Sequence, residues 1–118
     1  MKSEHLDSLA RFTNECREPN WDGYGAEPAS LRALRHAEDL IAALPDDVPL
    51  PECSIEPDGC VSLDWISAAY RTLTLSVGET DRLPYAWVDG TDRGHAVARQ
   101  VDGQLPPRIL AEIRRFMS

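Results

Sequence analysis

Apolar residues in this chain recur with a helical spacing, switch to strict alternation after residue 51, and return to the helical spacing after residue 105. A period of 3.6 buries one stripe of a helix and a period of 2 buries one face of a strand, so the switch demands two kinds of element in fixed order. Leu6, Leu9, Phe12 or Thr13, and Cys16 predict a first helix over 4–17. Leu31, Leu34, Ala37, Ile41 and Leu44 predict a second, with Ser30 as its N-cap and Pro45 as its stop. Three prolines in 45–51 make an extended connector.

Beyond it, Pro57-Asp58-Gly59 reads as a hairpin turn leading into Val61, Leu63 and Trp65, which alternate with Ser62 and Asp64. Leu73, Leu75 and Val77 alternate with Thr72, Thr74 and Ser76, which predicts a strand with one buried and one wet face. Further strands are expected over 83–89 and 94–101, turning at Asp89-Gly90. None of the gaps is long enough for a helical crossover, so the strands connect as an antiparallel meander. Pro106-Pro107 can open a last helix whose apolar face is Ile109, Leu110, Ile113 and Phe116. The expectation is one α+β domain over residues 1–118: two N-terminal helices, an antiparallel meander of four to five strands, and a C-terminal helix packed on one sheet face.

Asn20-Trp21-Asp22-Gly23-Tyr24-Gly25-Ala26, continued by Pro28 and Ser30, then Leu44-Pro45, Pro57-Asp58-Gly59 and Leu63-Asp64-Trp65, is a longer signal than any one of its parts. It resembles a family of short bacterial proteins with an N-W-D-G-x-G-A-x-P-x-S opening, a helix ending in Leu-Pro, and a Pro-Asp-Gly hairpin before a Leu-Glu-Trp strand. The resemblance covers about 20–77, roughly half the chain, and departs at Asp64, where the family pattern has Glu. It implies the fold and carries no activity with it.

Charge is unevenly placed. The net charge is −8, from 20 acidic and 12 basic side chains, and from His36 to Tyr70 there are eight acids and no Lys or Arg. If those acids share a surface, they create a local negative field. Such a surface disfavours direct contact with nucleic acid, which binds basic groups, and suits a basic protein or the nucleic-acid-binding site of a protein. The partner-binding residues expected on it are Glu38, Asp39, Asp46, Asp47, Glu52, Glu56, Asp58 and Tyr70, with Tyr85 as a further exposed aromatic. The matching functional expectation is a non-enzymatic protein-binding module, an inhibitor or neutraliser of anti-CRISPR-like, immunity-like or nucleic-acid-mimic type by analogy. The bland reading is that these acids only solvate a loop-rich region.

The alternative is a small ligand-binding protein or enzyme with its site at Asn20, Trp21, Asp22 and Tyr24, whose rings offer flat apolar surface beside hydrogen-bonding groups. A structural role for that loop is weighed against it, with the glycines supplying unusual backbone angles and Trp21 plugging the core. Nucleophilic catalysis would draw on His5, His36 or His95, and no spacing unites them with a cysteine; His95 beside Asp92 reads as a polar hairpin residue. No metal-ligand spacing is present, so neither metal nor cofactor is expected. Cys16, Cys53 and Cys60 are an odd number and read as reduced thiols. No stretch approaches the roughly 18 apolar residues of a membrane helix and the start lacks the apolar run of a signal peptide, so a cytoplasmic location is expected. A homodimer through an exposed sheet edge is a further association open to such a chain.

Overall fold

Serine 30 fulfils its predicted role at the head of the first described helix. Its backbone is extended (φ −76°, ψ 122°) and its hydroxyl accepts a hydrogen bond from the Ala33 N–H at 3.1 Å, satisfying a donor that has no partner within the helix. The computed structural model describes residues 30–68, 71–100 and 104–117. Helix α1 (Leu31–Ala43) ends at Leu44, whose N–H turns back to the Ile41 carbonyl, and Pro45 prevents continuation. The predicted helix over 4–17 lies outside the described residues.

Five strands follow: β1 (Glu52–Ile55), β2 (Val61–Ala68), β3 (Arg71–Val77), β4 (Arg82–Asp89) and β5 (Asp92–Arg99). They pair antiparallel in the order of the chain, which is the expected meander. The last strand starts two residues earlier than its spacing suggested, because a two-residue loop at Gly90-Thr91 pairs Asp89 with Asp92. Gly90 stands there at φ 63°, the left-handed geometry that short hairpins need. Helix α2 (Pro107–Met117) closes the fold. No described helix is long and apolar enough to cross a membrane.

Alternation decides which face of the sheet is buried. Val61, Leu63, Trp65, Leu73, Leu75, Val77 and Leu83 turn to the side covered by both helices, where they meet Ala37, Leu40 and Ile41 of α1 and Ile109, Ile113 and Phe116 of α2. Each such side chain contributes roughly 1.5–3 kcal/mol by leaving water. Trp65 is 1% exposed and its indole N–H still finds a partner, donating to the Pro49 carbonyl at 2.9 Å, so the proline connector closes the sheet's flank. Tyr85 corrects an expectation: it is buried, 3% exposed, because odd positions of β4 face the core, and the Arg108 guanidinium lies over its ring. At the far end of the helical layer Arg71 pairs with Asp89 and donates to the Arg115 carbonyl, while Arg115 pairs with Asp92.

The opposite face carries no helix among the described residues. Register places Glu52, Asp64, Thr74, Ala86 and His95 in one row across it, and Ser54, Ser62 and Ser76 in the next. His95 and Asp92 therefore project from opposite faces of β5, as an odd and an even position must.

Candidate functional site

The Pro57-Asp58-Gly59 turn builds the most concentrated group of functional side chains among the described residues. Gly59 N–H bonds the Glu56 carbonyl at 2.9 Å and Gly59 stands at φ 87°, which an L side chain resists. This geometry reverses the chain sharply and turns Glu56, Asp58 and Cys60 toward one another. Their ligand atoms lie within 4.8 Å of each other. Asp58 is held by the Cys60 N–H, which its Oδ1 accepts at 3.0 Å, and Glu56 by the Ser76 hydroxyl of β3 at 2.9 Å.

The turn between β3 and β4 supplies the other wall. Glu79 and Arg82 join Glu56, Asp58, Cys60 and Ser76 around a cleft of about 440 Å³ at this end of the sheet. Glu79 is anchored from the helical layer, accepting the Ser30 hydroxyl at 2.9 Å. Ser30 also donates its N–H to the Gly59 carbonyl, and His36 Nδ1 donates to the Gly78 carbonyl at 3.0 Å. The head of α1, the first hairpin and the β3–β4 turn are thereby tied at one place.

Burial, then the hydrogen bond and charge of Asp58, then the charges of Glu56 and Glu79, push the Cys60 thiol up to about 11 from an ordinary 9.0. Cys53, on β1, is likewise raised to about 11, by burial first and the Asp64 charge second. A thiol held protonated is a poor nucleophile at neutral pH. The arrangement instead offers converging negative charge to a guanidinium or ammonium group.

Of the eight partner-binding residues expected from sequence, Glu56 and Asp58 meet in this cleft. Glu52 and Asp64 are cross-strand neighbours on the uncovered face. Glu38 and Asp39 belong to α1, in the layer on the other side of the sheet, and Asp46 and Asp47 to the turn after it, where Asp47 pairs with Arg114 at 3.3 Å. The acids of 36–70 are thus divided between two sides of the molecule. Tyr70 lies outside the described residues, as do Asn20, Trp21, Asp22 and Tyr24. Glu79 and Arg82 were missed from sequence, since only the pairing of β2 with β3 brings their turn beside Pro57-Asp58-Gly59; Ser76, matched with Ser62, was the available clue. The chain matches no protein-family model, no curated protein and no solved structure.

Proposed function

We propose that the protein is a non-enzymatic binding module that takes a basic segment of another protein into the acidic cleft at the β1–β2 turn, and so acts as an inhibitor or neutraliser of that partner. The observation carrying this reading is the convergence of Glu56, Asp58 and Glu79, from two separate turns, on one cleft with a single Arg in its wall. Charge-assisted hydrogen bonds to carboxylates are the strong ones, and a cleft shields them in part from salt. The raised Cys60 thiol supports binding over thiolate chemistry, and a cytoplasmic setting accords with the free thiols of Cys53 and Cys60.

A labelled deca-arginine peptide tests it by fluorescence anisotropy. Glu56→Gln with Asp58→Asn weakens binding at least tenfold, whereas Glu38→Gln with Asp39→Asn, which removes the same charge from α1, changes it less than twofold. Equal losses from the two pairs would mean that net charge alone attracts the peptide, and the cleft would lose its role.

A further inference from the structure

The cleft that gathers three carboxylates also holds an unanswered cation. Arg82 lines it beside Glu56, Asp58 and Glu79, yet no ion pair among the described residues engages Arg82. Its cross-strand partner on β5 is Arg99, so two exposed arginines stand directly opposite each other. Like charges in that arrangement destabilise a strand pair. The other like pair of this hairpin, Asp89 opposite Asp92, is answered, the first by Arg71 and the second by Arg115. At the cleft end no ion pair among the described residues does the same for Arg82 and Arg99.

Local bonds fix where the two signs of charge sit. The Arg82 N–H donates to the Thr80 hydroxyl at 3.3 Å, and the Gln100 N–H donates to the Asp81 carbonyl at 2.8 Å. The second bond holds the end of β5 against the β3–β4 turn, which keeps Arg99 beside Arg82. On the other side, the Ser76 hydroxyl draws the carboxylate of Glu56, the residue after β1, toward β3. Acids thus occupy the β1–β3 side of this end of the sheet and arginines the β4–β5 side. Neighbouring strands lie about 4.8 Å apart, so the two signs are separated by about 5–10 Å across the strands. Side chains at i and i+2 of an extended segment point the same way about 7 Å apart, within that span.

We propose that the cleft recognises a basic residue followed two positions later by an acidic one, the basic side chain seated among Glu56, Asp58 and Glu79 and the acidic one against Arg82 and Arg99. This rests on the reading of the cleft as the seat of a basic segment, and it narrows that segment to one carrying both charges. A carboxylate accepts paired N–H groups from guanidinium forks, so Arg82 and Arg99 suit an Asp or Glu side chain. A uniformly basic segment would set further positive charge against the two arginines, a juxtaposition that works against binding.

Anisotropy titrations of labelled, amidated heptapeptides at low salt test it. The first peptide is Thr-Thr-Arg-Thr-Glu-Thr-Thr, the second has Gln in place of Glu, and the third moves Glu next to Arg. The protein carries a net charge of −8, so an acid added to the peptide weakens binding if overall charge alone counts. The expected result is the reverse: the first peptide binds about fivefold more tightly than the second and about threefold more tightly than the third. In Arg82→Gln with Arg99→Gln the advantage over the Gln peptide disappears, and deca-arginine binds more tightly than it does to the wild type. Circular dichroism checks that this variant is folded, and the comparison of peptides on the wild type stands without it. A Glu peptide that binds no better than its Gln or adjacent-Glu counterpart overturns the proposal, and so does an advantage that survives in the folded variant. Deca-arginine separates this failure from failure of the underlying reading. If Glu56→Gln with Asp58→Asn weakens its binding while the Glu peptide has no advantage, the cleft still takes basic segments and only the paired-charge requirement falls. If deca-arginine ignores those two carboxylates, both fall.

Discussion

Gly94 lies opposite Trp87 across β4 and β5, and a Cβ built on it would overlap the indole ring. Glycine inside a strand usually weakens it, yet here its bare backbone is what lets the ring lie down on β5. Gly94→Ala is therefore expected to destabilise by about 1–3 kcal/mol in urea unfolding, as overpacking does. In a Trp87→Ala background the same change loses most of its effect. An equal penalty in both backgrounds would remove the overlap as the cause. Cys60 makes a second prediction at this scale. With Cys16→Ser and Cys53→Ser isolating it, its rate of alkylation by iodoacetamide stays low at pH 8 and keeps rising toward about pH 11, where an unperturbed thiol would level off above 9.0. The folded thiol ionises above the unfolded one, so its contribution to stability is whole below pH 9.0 and is lost as pH climbs through about 11. A rate that levels near pH 9 would show that burial and the three carboxylates do not act on it.

At the scale of elements, Ser30 joins α1 to the first hairpin. Its hydroxyl caps Ala33 and donates to Glu79, and its N–H reaches the Gly59 carbonyl. Ser30→Ala is expected to lower unfolding stability by about 1 kcal/mol, up to about 2, and Ser30→Thr to restore most of it. No measurable loss would mean that the cap is redundant. This junction also gives the described part of the sequence motif a physical meaning. Its Ser meets its Pro-Asp-Gly turn, and its Trp65 donates to the Pro49 carbonyl in the connector that follows Leu44-Pro45. The start and stop of α1, the start of α2, the first hairpin and the direction of the described strands were legible because caps, prolines and period-2 alternation are local signals. The limits of β5 were not. Gly94 opens the expected strand, but Asp92 and Arg93 before it also pair, with Asp89 and Val88, because the chain reverses in only two residues, and the strand ends at Arg99 instead of 101.

At the scale of the whole molecule, charge is where sequence and structure part. The run of acids from His36 to Tyr70 was plain in one dimension, but α1 and the sheet lie in different layers, so Glu38 and Asp39 are separated from Glu52 and Asp64 by the core itself. The cleft recruits Glu79 and Arg82 from far along the chain. It follows that binding of basic peptide responds to Glu56 and Asp58 more than to Glu38 and Asp39. What the amino-acid order determined alone is the order and kind of the described elements, because those depend on neighbours within a few residues; packing still corrected the expected buried face of α1, where Leu31 is 73% exposed while Ala33 and Leu40 are buried. What only folding decided is which charges stand together, because cross-strand register and layering, not sequence proximity, set the distances over which charges act.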